Sequence, residues 1–411
     1  MSGEPDTQAR RGLACLLSFQ VISGLLVAPV FALFPVYVES RLHLTSDFSG
    51  LIRGLFVLAS AVTAFLGGAL CDAIGRKPAY LLGMTGVISA GALFMVPHPA
   101  WMYPLALYGG VMFGLGSVAG QSYLMDAAPR RSLALATAGF FTAGTLGNAV
   151  GSSISGEVVR LSPEAGYWLL GVAMAAGHSL LLLVAWRLLP EIVRAQAEGP
   201  RLHVLAGLGG LMRRPATWFL LGLRYLPTAY WGITTLLMPL LLFRATGKAT
   251  WAGNYTAASL VLSAACQVGA GRLVDRFGPR VPMLVAISLV TVGTIGQWLC
   301  AGNPWALSAW GLLGAGAAWS LSITMTTLVR ELSTEDTRGS LLGLTHTAWS
   351  AGFLTGTLAG GFAARQIGHG AEAFLVGAGC CAAAVLCAIG VAWALPGQPS
   401  AGLDAGAGSP G

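Results

Sequence analysis

Twelve apolar stretches, each about 20 residues long, constrain this 411-residue chain more tightly than any other feature. A helix needs roughly 20 predominantly apolar residues to cross a bilayer, because each adds about 1.5 Å against a hydrocarbon core of about 30 Å. Lipid offers no partner to backbone N–H and C=O groups, so a span of this kind has to be a helix that satisfies its own. The stretches lie at 13–39, 48–70, 79–96, 101–125, 133–159, 167–189, 218–243, 251–273, 281–301, 304–328, 341–363 and 373–395. The first follows Arg10 and Arg11 and exceeds the 7–15 residues of a cleavable signal core, so it reads as a retained span. The expected fold class is an all-α polytopic membrane protein.

Composition agrees. Hydrophobic residues make up 55% of the chain and charged residues 9%, against roughly 25% charged in a soluble domain. The 57 glycines fit helices packed on helices, where small residues let backbones approach closely. The net charge of +7 does not indicate nucleic acid, because basic residues are scattered singly or in pairs between apolar runs. Cys15, Cys71, Cys266, Cys300, Cys380, Cys381 and Cys387 fall in or beside apolar runs without CxxC spacing, so neither disulfides nor a metal site are expected. No cofactor is implied. An enzyme is not expected either, because the chain has no G-x-S-x-G, no H-E-x-x-H, no nucleotide-binding G-x-x-x-x-G-K-[ST] and no paired carboxylates at mid-span.

The longest connector separates spans six and seven, which divides the chain into an N-terminal segment 1–12, a six-helix unit 13–189, a linker 190–217, a second six-helix unit 218–395 and a tail 396–411. Within the linker, 202–212 is compatible with a short interfacial helix. Most of the 23 Lys and Arg fall on one side if the N-terminus is cytoplasmic, among them Arg10, Arg11, Arg76, Lys77, Arg130, Arg131, Arg276, Arg280, Arg330 and Arg338. The positive-inside rule then puts both termini and the linker in the cytoplasm, with the plasma (inner) membrane as the expected location.

The two units repeat one another. Gly68-Ala-Leu-Cys-Asp72-Ala-Ile-Gly75-Arg76-Lys77 after span two returns as Gly271-Arg-Leu-Val-Asp275-Arg-Phe-Gly278-Pro-Arg280 after span eight. A second echo links Gly147-Asn-Ala-Val-Gly151 in span five to Gly356-Thr-Leu-Ala-Gly360 in span eleven. A parallel duplication is what two six-helix halves related by an axis normal to the membrane would leave in the sequence.

The G-x-L-x-D-x-x-G-R-K loop, its second copy, the six-plus-six layout and Arg338-Gly339 before span eleven resemble the major facilitator superfamily over essentially the whole chain. The resemblance implies two pseudo-symmetric six-helix bundles, transport by alternating access and a monomer. It also implies that Gly68, Asp72, Gly75, Arg76 and Lys77, with Gly271, Asp275, Gly278 and Arg280, influence switching without touching solute. The loop chemistry suits a latch between halves, whereas the positive-inside rule alone also explains Arg76 and Lys77. Span five resembles the glycine-rich motif of drug exporters but reads Ala143-x-x-x-Gly147-Asn148-x-x-Gly151-Ser152, without the proline. An antiport signature and a plain packing face both fit that pattern. In span four, Gly110 stands where exporters carry an arginine ahead of Gly114-Leu-Gly116.

Polar residues inside spans are candidate site residues, because lipid makes them costly. Glu39, Asp47, Glu157 and Glu164 sit toward the outer mouth, and Asp72, Asp126 and Asp275 at inner ends, so no carboxylate is expected at mid-span. His178 and His346 either titrate or form neutral hydrogen bonds to neighbouring helices. Arg224, the one basic residue assigned to a span interior, either meets an anionic group of the cargo or reaches the interface or an acid. It opens the segment that runs through Pro227, Tyr230, Trp231 and Gly232, where proline and glycine are expected to break the helix beside a cavity and where Tyr230 and Trp231 either stack on the solute or serve as packing or lipid contacts. Gln20, Ser23, Asn148, Trp319, Thr345 and Trp349 complete the candidate cavity lining. The expected partners are membrane lipid, a small organic solute and a coupling ion such as the proton. The expected function is secondary active transport, with efflux of amphipathic or anionic compounds first, uptake of a metabolite second and a non-transporting solute sensor as a remote third.

Overall fold

Each apolar stretch forms a helix in the computed structural model, which describes residues 4–96, 98–128, 133–191, 208–366 and 370–395. The first half comprises α1 (Glu4–Ser40), α2 (Ser46–Ile74), α3 (Arg76–Ala92), α4 (Met102–Ala127), α5 (Leu133–Leu161) and α6 (Gly166–Leu188). A short α7 (Leu208–Met212) precedes the second half, α8 (Pro215–Thr246), α9 (Ala249–Phe277), α10 (Arg280–Leu299), α11 (Pro304–Leu332), α12 (Glu335–Gln366) and α13 (Ala373–Ala394). Several helices overrun the apolar stretches, α1 by nine residues at its start, because helical hydrogen bonding continues where lipid ends. Of the linker helix expected at 202–212, α7 is described and Leu211 docks on the core of the second half; 202–207 and the tail 396–411 lie outside the described residues.

Among the described residues nine of these helices are long and apolar enough to cross a membrane. Of the other long helices, α3 has only 17 residues. The remaining two, α5 and α12, are rich in Gly, Ser and Thr, which suits helices that touch other helices on two sides.

The duplication is visible in the packing. In the first half α1 packs on α5, α2 on α4, α3 on α4 and α3 on α6; in the second, α8 packs on α12, α9 on α11, α10 on α11 and α10 on α13. These are the same pairings carried from one unit to the other. Between halves, α5 meets α9 and α2 meets α12, again a symmetric pair.

Close approach at glycine makes the α1·α5 and α8·α12 seams. A β-carbon on Gly147 would stand 2.0 Å from the Val21 carbonyl oxygen, and one on Gly356 only 1.9 Å from that of Ala229. The glycine pattern of spans five and eleven is therefore a backbone-to-backbone packing surface.

The seam between halves is closed on one side of the membrane and parted on the other. On the Glu39 side, a β-carbon on Gly253 of α9 would meet the Ser152 carbonyl of α5 at 2.4 Å, and one on Gly50 of α2 would meet the Thr357 carbonyl of α12 at 2.6 Å. One apolar cluster, with Phe34, Phe94 and Met174 of the first half, takes in Ala249 and Ala252 of α9. On the Gly75 side, Gly269 and Gly271 of α9 and Gly343 of α12 face open space.

Candidate functional site

Two repeated turns frame the parted side. Gly75 ends α2 and Gly278 ends α9, each with positive φ (93° and 72°), a conformation that glycine adopts without a β-carbon penalty. Each returns its N–H to the carbonyl four residues back, Cys71 at 3.0 Å and Val274 at 2.8 Å. Arg76 then pairs with Asp126 at 3.3 Å and ties α3 to α4, while Arg280 donates to the Leu395 carbonyl at the end of α13. These described bonds stay within each half. Lys77 is half-buried and Asp275 is exposed, Gly271 has an open flank, and the surroundings of Gly68 and of the Asp72 side chain lie outside the described residues.

The Glu39 side carries polar ties between halves. Arg244 of α8 donates two hydrogen bonds to the Glu39 carboxylate, at 2.6 and 2.5 Å, and Arg365 of α12 bonds Asp47 of α2 at 2.8 Å. Ser46 donates to the Gly361 carbonyl at 3.1 Å. Of the four outer acids named in the sequence, Glu39 and Asp47 thus meet basic partners across the seam, while Glu157 pairs with Arg160 one turn along α5.

The cavity candidates fall into two groups. In the first half, His178 of α6 is fully buried; its Nε2 lies 3.1 Å from the Ser23 hydroxyl of α1 and its Nδ1 3.0 Å from the Met174 carbonyl. Both ring nitrogens are engaged, which describes a histidine joining two helices. Asn148 accepts from Ser152 one turn along α5 at 3.2 Å, and Gln20 lies beside Gly144.

In the second half three helices converge. Arg224 of α8 donates from Nη1 to the Ser322 hydroxyl of α11 at 3.1 Å. His346 stacks on Trp349 with ring centres 5.8 Å apart, and Trp349 on Phe353 at the same spacing. Trp231 meets Trp319 edge-on at 6.0 Å, and the Trp319 indole N–H is buried with no partner among the described residues. A cationic group and aromatic rings thus share α8, α11 and α12, a combination of chemistry that suits an anion attached to a flat apolar body.

Three expectations change. Tyr230 is enclosed in the core of the second half, with its hydroxyl donating to Gln297 at 3.2 Å, so it is a packing residue and not a cavity wall. Thr345 is buried and its hydroxyl is turned back to the Leu342 carbonyl. No helix break occurs at Pro227 or Gly232, because α8 continues through both and Gly232 packs against the Phe353 carbonyl of α12.

The sequence reading also missed residues. Tyr225 is bonded through its hydroxyl to Thr355 of α12 at 2.9 Å in an exposed position. More important, Arg224 is not alone among basic residues inside a helix of the bundle. Arg53 of α2 is only 8% exposed and donates to the carbonyls of Thr235, at 2.7 Å, and Phe31, at 3.3 Å. Its signal in the sequence was a lone charge several residues into an apolar run, easily counted with the outer loop.

With this geometry in place, comparison with known proteins is decisive for the family. The family model described as Major Facilitator Superfamily matches residues 16–250 and again residues 237–409. The chain belongs to the major facilitator superfamily. An uncharacterized MFS-type transporter of Mycobacterium tuberculosis, Rv1250, is 34% identical over 113 residues, or 28% of this chain; the match spans 19% of that relative. Among solved structures, a mutant form of the nucleoside transporter NupG superposes with a TM-score of 0.78 at 16% identity, covering 92% of this chain and 99% of that one. A bacterial homolog to the human lysosomal transporter Spinster, inward-facing and unoccupied, gives 0.70 at 16% identity over 96% of each chain. Likeness at such identity establishes a shared fold, and the protein is accordingly a multi-pass helical membrane protein of this superfamily.

Proposed function

We propose that the protein is a secondary active transporter of small organic anions with an aromatic or otherwise flat apolar body. Its cargo enters the cleft between the halves and crosses as they rock. The observation that carries this reading is Arg224: a guanidinium within the bundle whose described hydrogen-bond partner is a neutral serine, on helices whose neighbours carry the His346–Trp349 and Trp231–Trp319 pairs. A partly buried charge favours a counter-charge, and Arg presents a planar fork suited to carboxylate or phosphate. The aromatic faces supply area for the rest of the solute.

With the termini in the cytoplasm of a plasma membrane, as the basic residues favour, the Gly75 side is the inner side and the described state opens inward. Asp72, Gly75, Arg76 and Lys77 then belong to the switch between states, together with Asp275, Gly278 and Arg280. Efflux is the first direction because span five resembles the exporter motif. Uptake is the second, favoured by the packing role that already accounts for Gly147 and Gly151.

Counterflow in proteoliposomes with matched pairs of solutes, an aromatic carboxylate and its neutral amide, tests the proposal. Arg224→Ala is expected to weaken the carboxylate at least about tenfold, the effect of one lost charge-assisted hydrogen bond, and to leave the amide within twofold. Arg224→Lys keeps the charge but not the fork and falls between. Equal losses for both solutes, or none for either, reject an anion-binding role.

A further inference from the structure

A proline inside a helix removes one backbone N–H, and the carbonyl four residues earlier loses its donor. Pro35 in α1 does this to Phe31, and Pro239 in α8 does it to Thr235. Helices α1 and α8 open the two halves and are counterparts in the duplication, so each half supplies one freed carbonyl from its first helix. The guanidinium of Arg53 bonds these two oxygens: Nη1 to Thr235 and Nη2 to Phe31. One acceptor belongs to Arg53's own half and the other to the opposite half. A buried carbonyl without a donor is costly, and a guanidinium is the side chain whose fixed fork reaches two such oxygens at once.

From this juxtaposition we infer that Arg53 is the positioning residue of the Glu39-side gate, a latch whose catch is the carbonyl that Pro239 frees in the facing half. The latch lies deeper than the Glu39–Arg244 and Asp47–Arg365 ion pairs. Those pairs are partly exposed and screened by salt, whereas Arg53 is enclosed. When the halves part on that side, the Thr235 oxygen leaves Arg53 and both must find water. Closure on the Glu39 side and formation of this bond are therefore one event. Sequence displays the device only as three separated residues, an arginine and two prolines. The inference is independent of what the cargo is, so its failure would leave the Arg224 proposal untouched.

The test is a population measurement on the full chain in lipid, without solute. Spin labels are placed at Leu161→Cys of α5 and Lys248→Cys before α9, both exposed on the Glu39 side, after removal of the seven native cysteines. The ratio of short to long distances reports closed against open. Arg53→Gln is expected to lower that ratio about tenfold or more, and Arg53→Lys less. Pro239→Ala restores a backbone donor to the Thr235 carbonyl and leaves Arg53 in place; it too is expected to favour the open form. In the double variant the two effects should not add, because both remove the same bond. If Pro239→Ala leaves the ratio within twofold, or if Arg53→Gln lowers thermal stability without moving the ratio, the latch is rejected. Pro239→Ala keeps the test decisive even where Arg53→Gln fails to fold.

Discussion

Substituting Gly356 by valine is expected to cost about 3 kcal/mol or more of stability, the upper range for forcing bulk into a packed interior. The β-carbon alone would stand 1.9 Å from the Ala229 oxygen and 2.7 Å from its carbonyl carbon, so α12 has to lift off α8 along the seam. Backbone, unlike a flexible side-chain end, cannot swing aside. The counterpart Gly147→Val meets Val21 of α1 in the same way and should cost a similar amount. Gly343→Val is the control, since it lies on the same α12 where a β-carbon meets open space. Thermal unfolding of purified protein decides the matter. If the Gly343 and Gly356 variants melt together, the seam does not depend on glycine.

A wedge at Gly253 should act differently, moving populations more than stability. Its β-carbon would be 2.4 Å from the Ser152 oxygen, but that oxygen belongs to the other half and recedes when the Glu39 side opens. Gly253→Leu therefore penalises the closed state and leaves the open one nearly strain-free. An overpacking cost of about 1–3 kcal/mol corresponds to a shift of about fivefold to somewhat over a hundredfold. The readout is the rate at which a membrane-impermeant maleimide modifies Thr250→Cys, placed where Gly156 covers it across the seam. Faster labelling by that factor is expected. An unchanged rate with a lowered melting temperature would show that α5 and α9 do not separate in the cycle.

The fold was legible because its two determinants are written in the sequence at long range. Apolar length announces each helix, and the recurrence of Gly75 and Gly278 within similar segments announces the duplication, which the matched helix pairings repeat in space. The site was legible only in part. Arg224, Trp231, Trp319, His346 and Trp349 stood out as polar or aromatic residues in spans, and the structure sets Trp231 against Trp319 and His346 against Trp349. Tyr230 was misplaced because helix α8 is buried nearly all round at that level, and sequence shows a residue's neighbours along the chain but not which face they cover. Arg53 was missed for a related reason. Its partners are backbone carbonyls, and a carbonyl freed by proline leaves no side-chain signature at the position that supplies it. Gly147 and Gly151 read as an exporter motif or as packing, and only the distances to α1 decide that they pack.

The central claim is that the halves move as bodies that part on one side while closing on the other, and one double distance measurement tests it. Spin labels at Leu70→Cys of α2 and Gly343→Cys of α12 report the Gly75 side, and labels at Leu161→Cys and Lys248→Cys report the Glu39 side. Pulsed electron resonance in lipid should find the first pair long and the second short in the wild-type background. A Gly253→Leu background should lengthen the second and shorten the first in the same fraction of molecules. Distances on the two sides that change independently, or a Glu39 side that opens while the Gly75 side stays parted, would contradict the account.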